Sequence, residues 1–115
     1  MQLSIQQKTA ANGSVVLALE GGIVAGRCTA LEQQVAALVA GGQKRVVLDV
    51  AGITMLDSAG VGTIVACLTK LKKAGGDLRI AGACGRAESV LKMTQVDKVI
   101  RFFPTVEAAA TDFAF

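Results

Sequence analysis

Hydrophobic residues recur along the chain with two different periods, which divide it into alternating strands and helices. Near the start, the runs LSIQQKT and SVVLALE flank the sequence ANG, where Asn12–Gly13 favours a tight hairpin turn because both residues tolerate a positive φ. The run RVVLDV, residues 45–50, is almost continuously apolar. Such a run is typical of a strand covered on both faces in a parallel sheet. We therefore predict a hairpin followed by a central buried strand.

Apolar residues at three- to four-residue spacing predict two longer helices. The first follows the segment GGIVAG, which we expect to be a flexible loop, and ends at Gly41–Gly42. The second begins at Ser58 and ends at Gly75–Gly76, with lysines in its last turn. The first helix carries Leu31, Val35, Leu38 and Val39 on one face. The second carries Val61, Ile64, Val65, Leu68 and Leu71 on one face.

Shorter elements complete the pattern. DLRIAG is a predicted strand, residues 88–93 a short helix, VIRFF a last short strand, and TVEAAATDF a closing helix after Pro104. The order β-β-α-β-α-β-α-β-α predicts an α/β fold, with a mixed sheet of four or five strands, an antiparallel N-terminal hairpin and about four helices packed against the sheet. Residues 1–115 are expected to form one domain, since an apolar content of 52% supports one continuous core. The predicted core includes Val46–Leu48, Ile64, Leu68, Leu78 and Ile80.

The composition disfavours several classes of function. No apolar run approaches the ~20 residues that span a membrane, and the first residues lack an export signal, so we expect a cytoplasmic protein without membrane insertion. A net charge of +3 and 3% aromatic residues disfavour nucleic acid as a partner. The chain has no histidine, and Cys28, Cys67 and Cys84 are far apart, so no metal and no cofactor are expected.

The segment GITMLDSAGVGTIV, residues 52–65, contains the most specific candidate for function. Asp57 or Ser58 could simply cap the second helix, because both residue types are favoured N-caps. A hydrolase nucleophile is disfavoured, since neither a histidine nor an S-x-x-K or G-x-S-x-G motif accompanies Ser58. A phosphate-binding loop has weak support, because Val65 replaces the third glycine of a dinucleotide motif. Phosphorylation of Ser58 is the remaining interpretation, since a helix N-terminus stabilises added negative charge.

The segment RVVLDVAGITMLDSAGVGTIVACLTKLKKAGGDLRIAG resembles the core of the STAS domain, the family of bacterial anti-sigma factor antagonists. A looser similarity extends from about Val15 to Ala109. The most specific part is a hydrophobic strand, then D-S-x-G-x-G at the start of a helix. In that family a partner that is both anti-sigma factor and ATP-binding serine kinase phosphorylates the serine of this motif, which corresponds to Ser58. The resemblance implies a partner-switching regulator rather than an enzyme, which releases its partner when Ser58 is phosphorylated, and it allows a serine phosphatase as a further partner.

The resemblance also implies a partner-binding surface around the motif. Its residues are Gly22, Ile23, Val24, Met55, Leu56, Asp57, Ser58, Ala59, Gly60, Val61 and Gly62. Met55 and Leu56 could equally be ordinary core residues. The chain departs from the family at Val24, where an aspartate is usual. Two alternatives stay open: a STAS scaffold or lipid-transport accessory subunit that does not switch, and a small enzyme, against which the missing histidine counts.

Overall fold

A computed structural model describes residues 3–10 and 12–113, and within them the chain forms one mixed sheet with helices on both faces. The strands are β1 (Ser4–Thr9), β2 (Val15–Ile23), β3 (Arg45–Leu56), β4 (Asp77–Ala81) and β5 (Arg101–Phe103). The helices are α1 (Thr29–Ala40), α2 (Ser58–Lys73), α3 (Gly85–Met93) and α4 (Val106–Thr111), with a 3-10 turn, Val96–Lys98, before β5. The predicted order of elements is confirmed.

The strands lie side by side in chain order, β1-β2-β3-β4-β5. β1 and β2 are antiparallel, and every later neighbour pair is parallel. This arrangement confirms the predicted mixed sheet with an N-terminal hairpin at one edge. It also confirms RVVLDV as part of the central strand, because β3 has two strands on either side.

Apolar side chains fill both faces of the sheet. Helices α1, α2 and α3 cover one face, where Val46 and Leu48 of β3 are buried. Helix α4 covers part of the other face, where Val47 is buried. Alternate residues of β3 therefore point into two separate clusters, as expected for a strand covered on both sides. All of the predicted core residues are buried: Val46–Leu48, Ile64, Leu68, Leu78 and Ile80.

Two strands extend further than the sequence predicts. The segment GGIVAG was predicted to be a loop, but β2 continues through Gly21 and Gly22 to Ile23. Likewise β3 runs on to Leu56, past the predicted end at residue 50. Glycine is depleted in strands, so Gly21 and Gly22 give no local signal for the extension of β2, and Gly52 interrupts the apolar run of β3 before Ile53. The two extensions stabilise each other because they pair in parallel. The register shifts between Ala18 and Glu20 and between Gly21 and Gly22.

Smaller corrections concern α2, α3 and β5. Val65 was predicted on the inner face of α2, but it is 36% exposed. The buried face is instead formed by Gly60, Val61, Thr63, Ile64, Cys67, Leu68 and Leu71. Because Gly60 and Thr63 belong to this set, the buried face is centred further from Val65 than the apolar residues alone would suggest. Helix α3 begins at Gly85 rather than at residue 88, and β5 comprises Arg101–Phe103 only.

A cluster of ion pairs connects the end of α4 to the sheet. Arg79 of β4 is almost fully buried and forms ion pairs with Asp77 and with Asp112, the latter at 2.7 Å from Nε to Oδ2. Its guanidinium also lies 4.7 Å from the centre of the Phe113 ring. Arg101 adds an ion pair to Asp112 at 2.9 Å. Hydrogen bonds from Arg79 and Arg101 lower the pKa of Asp112, which keeps the network charged at neutral pH.

Candidate functional site

The candidate site lies where β2 and β3 end side by side. Because these strands are parallel, their carboxyl ends meet at one edge of the sheet, and the register pairs Gly22 with Met55 and Ile23 with Leu56. The backbone N–H of Asp57 also donates to the carbonyl oxygen of Ile23 at 3.4 Å. The two segments that the resemblance singled out, residues 22–24 and 55–62, are therefore adjacent in the structure.

Asp57 is the N-cap of α2, which answers the question of which residue caps the helix. Its backbone is extended, with φ −118° and ψ −176°, and its Oδ1 accepts a hydrogen bond from the N–H of Gly60 at 3.0 Å. Its other oxygen, Oδ2, accepts from the N–H of Ala25 at 3.0 Å. One carboxylate thus connects the start of α2 to the loop after β2. Ala25 was not a sequence candidate, since a backbone donor leaves no mark on residue type.

The same two hydrogen bonds set the charge of Asp57. The N–H groups of Ala25 and then Gly60 lower the pKa of Asp57, and the partial loss of solvent opposes them. Hydrogen bonds to the ionised form favour that form. Asp57 is therefore a carboxylate at neutral pH, and it places a fixed negative charge directly before Ser58.

Ser58 is the first residue of α2, and its side chain is exposed. Among residues 3–10 and 12–113, no group forms a hydrogen bond with its hydroxyl. Because Asp57 already caps the helix, the hydroxyl of Ser58 has no structural task. It is available to solvent or to another protein, at the helix end where the backbone N–H groups and the dipole favour added negative charge.

The two glycines of the D-S-x-G-x-G motif have different environments. A Cβ atom on Gly60 would lie 2.0 Å from the carbonyl oxygen of Ile23 and 2.7 Å from Cδ1 of Leu56. Only a glycine therefore lets α2 approach the end of β2 this closely. A Cβ on Gly62 would meet nothing within 4 Å, and Gly62 is exposed. The first glycine is required by the fold, whereas the second leaves open space beside Ser58.

Burial separates the predicted surface into two groups. We call the exposed members, together with the half-buried Asp57, the Ser58 surface: Met55, Asp57, Ser58, Ala59 and Gly62. The side chain of Met55 is 44% exposed, and Val24 is half-buried in the adjoining loop. The buried members are Gly22, Ile23, Leu56, Gly60 and Val61. The buried residues hold the backbone beneath the surface rather than presenting side chains to a partner.

Other kinds of site have no support in the described part of the chain. No three potential metal ligands come together within residues 3–10 and 12–113. In the same residues, no helix has the length and apolar character needed to cross a membrane. The three cysteines are free thiols, and burial raises the pKa of Cys67 to about 11. That thiol therefore stays protonated and behaves as a small core residue.

The chain matches the family model of the STAS domain over residues 4–109. It therefore belongs to the STAS domain family, as its central motif indicated. It is 28% identical over 105 residues to BtrV of Bordetella bronchiseptica, which is named as a candidate anti-sigma factor antagonist; the match covers 89% of this chain and 88% of that one.

Solved structures show the same fold. An anti-sigma factor antagonist from Mycobacterium paratuberculosis is similar with a TM-score of 0.84 and 28% identity, over 96% of this chain and 92% of that chain. The Bacillus cell fate determinant SpoIIAA in its phosphorylated form has a TM-score of 0.71 and 16% identity, over 92% of this chain and 96% of that chain. The second similarity bears on the fold alone.

Proposed function

We propose that this protein is an anti-sigma factor antagonist whose binding to an anti-sigma factor is controlled by phosphorylation of Ser58. The observation that carries the proposal is the exposed Ser58 hydroxyl, without an intramolecular hydrogen bond in the described residues, at the start of α2. Its relatives from Bordetella and Mycobacterium are named as a candidate and as an anti-sigma factor antagonist, respectively. We place this regulator in the cytoplasm, where sigma factors act.

The geometry of α2 supports the expectation that a phosphate at Ser58 would leave the fold intact. A phosphoserine adds about −1.5 to −2 charges at pH 7. At the first helical position these charges meet the positive end of the helix dipole and free N–H groups. The hydroxyl makes no hydrogen bond within residues 3–10 and 12–113, so modification breaks none there. The folded state is therefore expected to survive phosphorylation.

Binding is expected to respond differently from folding. A partner that covers the Ser58 surface packs against a small hydroxyl, the exposed Met55 and the open space at Gly62. After phosphorylation it must instead desolvate a dianion next to the Asp57 carboxylate. A loss of about 1.4 kcal/mol already weakens a complex tenfold. Phosphorylation thus favours release of the partner.

The partner that fits this cycle is an anti-sigma factor that is also a serine kinase using ATP, and a serine phosphatase would restore the hydroxyl. Val24 changes what this kinase meets, because the loop beside Ser58 presents an apolar side chain at the position where the family commonly has an aspartate. Asp57 remains as the carboxylate next to the serine. The cognate kinase should therefore recognise an apolar contact at residue 24, and we expect Val24→Asp to weaken its binding.

The test compares Ser58→Asp, Ser58→Ala and the control Ser89→Asp, which adds the same charge at an exposed serine on α3. Calorimetric titration with the anti-sigma factor should show that Ser58→Asp binds at least about tenfold more weakly, while the control binds normally. Circular dichroism and melting should show that all three variants fold. Mass spectrometry after incubation with kinase and ATP should find phosphate on the unmodified protein and none on Ser58→Ala.

Tight binding by Ser58→Asp, or phosphate on a different serine, would contradict the switch. The first outcome would favour a STAS scaffold that binds its partner without switching.

A further inference from the structure

Charged residues are distributed unevenly between the two ends of the sheet. Helices α2 and α3 both start at the carboxyl ends of the strands and end at the opposite edge. At that opposite edge lies a group of exposed cations that we call the basic end: Lys44, Lys70, Lys72, Lys73, Lys98 and Arg101. Lys44 precedes β3, and its backbone carbonyl accepts from the N–H of Asp77 at 2.8 Å, next to the end of α2. Three separate segments thus bring their cations to one edge.

Most of these cations have no acidic partner within the part of the chain that the structure describes. Lys72 forms an ion pair with Asp77 at 3.2 Å, and Arg101 forms one with Asp112. Lys44, Lys70, Lys73 and Lys98 form no ion pair with any residue of 3–10 or 12–113. The two aspartates are also already engaged by the buried Arg79. Asp97 of the 3-10 turn is also exposed at this end, so the four unpaired lysines still leave positive charge in excess there.

Two exposed apolar side chains lie at the same end. Met93 is the last residue of α3 and is 80% exposed, and Val99 follows the 3-10 turn and is 59% exposed. Val99 lines the same shallow cleft as Lys72, Lys98 and Arg101. Single exposed apolar side chains are normal on soluble proteins, so these two matter here only because they lie beside the cations. Four cations and two aspartates, Asp77 and Asp97, line that cleft, so cations predominate there.

We infer that the basic end is a docking surface for an anionic lipid bilayer. Each lysine close to an anionic membrane contributes favourably, and clusters of several basic residues bind such surfaces peripherally. The exposed Met93 and Val99 can enter the headgroup region in the way that apolar side chains of interfacial segments do. This mode of binding needs no membrane-spanning segment.

The chemistry of the surface favours a bilayer over a macromolecular partner. Lysine is depleted from protein–protein interfaces, and five of the six cations are lysines. The chain has no Trp or Tyr, and stacking on aromatic side chains supports binding to single-stranded nucleic acid. The lysines can bind a surface of high negative charge density, and Met93 and Val99 can enter a deformable surface. An anionic bilayer offers both properties.

The position of the basic end makes membrane docking compatible with the Ser58 surface. Helix α2 separates the two, and its 16 residues span about 24 Å. A molecule docked through Lys73 and Lys98 therefore leaves Ser58 facing away from the bilayer. The inference does not depend on whether Ser58 is phosphorylated.

The test is vesicle co-sedimentation with the full chain. We expect binding to phosphatidylcholine vesicles containing about 30% phosphatidylserine at about 0.1 M salt, and little binding to pure phosphatidylcholine or at about 1 M salt. Lys73→Gln combined with Lys98→Gln should weaken binding at least about tenfold. The charge-matched control, Arg27→Gln with Arg86→Gln, changes the opposite end and should bind nearly normally. Met93→Ser with Val99→Ser should weaken binding severalfold while the salt dependence remains.

Several results would overturn the inference. Failure to bind anionic vesicles at low salt would do so directly. Equal losses in the two charge-matched pairs would mean that only net charge matters. Displacement from vesicles by duplex DNA at equal phosphate concentration would assign the surface to nucleic acid. A loss of affinity for the anti-sigma factor in the Lys73/Lys98 variant, without vesicle binding, would assign it to a protein. Ser58→Asp should bind vesicles normally, which keeps this test separate from that of the switch.

Discussion

The two faces of helix α2 show how one element serves packing and recognition together. Its inner face is closed by the sheet, and Ile64 and Leu71 there are fully buried. Its outer face carries Ser58, Gly62 and Lys70, all exposed. Side chains on the inner face pack against the sheet, whereas side chains on the outer face are open to solvent. The same substitution should therefore have a different effect on the free energy of unfolding on each face.

The largest difference is expected between Leu68 and Lys70. Leu68→Ala removes a buried side chain from the inner face and leaves a cavity, so it should lower the free energy of unfolding by about 2–5 kcal/mol. Lys70→Ala changes an exposed residue two positions later and should shift the free energy of unfolding by less than about 0.5 kcal/mol. Urea denaturation measures both values. Similar losses in the two variants would mean that the helix is rotated from the orientation described.

A sharper comparison uses one substitution at two glycines of the same motif. Gly60→Ala forces a Cβ against the Ile23 carbonyl, so α2 must shift, and we expect a loss of about 1–3 kcal/mol. Gly62→Ala meets no neighbour and replaces glycine within a helix by the best helix former. It should therefore stabilise the protein, by up to about 1 kcal/mol. Thermal melts of the pair provide the measurement, and a destabilised Gly62→Ala would show that the space beside Ser58 is not free.

The smallest effect concerns Asp57, between the two faces. Its pKa is lowered in the folded protein, so its ionisation stabilises the fold above the unfolded-state pKa, and this contribution is lost as pH falls through the lower, folded pKa. Asp57→Asn can still cap the helix, but it loses the charge and one accepted hydrogen bond. Its melting temperature should be below that of the unmodified protein at pH 7. The gap should narrow below about pH 4, and a gap that stays constant down to pH 3 would contradict this role.

Much of the fold could be predicted because local and long-range signals agree. The central strand is apolar on both faces, and it is buried on both. The start of α2 was predicted at Ser58 from a capping residue and a change of hydrophobic period. Its end was predicted from the following Gly-Gly. At each of these places the residue types themselves determine the local structure, so the sequence pattern is sufficient to predict it.

The remaining features depend on partners distant in sequence. Gly21 and Gly22 form a strand only because β3 extends alongside them. Val65 is exposed because Gly60 and Thr63 lie on the buried side instead, and neither is a hydrophobic signal. Among the residues of the candidate site, the sequence singled out Asp57 and Ser58 but not Ala25, whose contribution is a backbone N–H. Contacts made by the backbone cannot be recognised from side-chain chemistry.

The hydrogen bond from Ala25 to Asp57 also bears on which substitutions the loop after β2 tolerates. Because the donor is a main-chain N–H, any residue except proline can occupy position 25 without breaking the connection to the start of α2. We therefore expect substitutions at position 25 other than proline to leave the start of α2, and with it Ser58, in place.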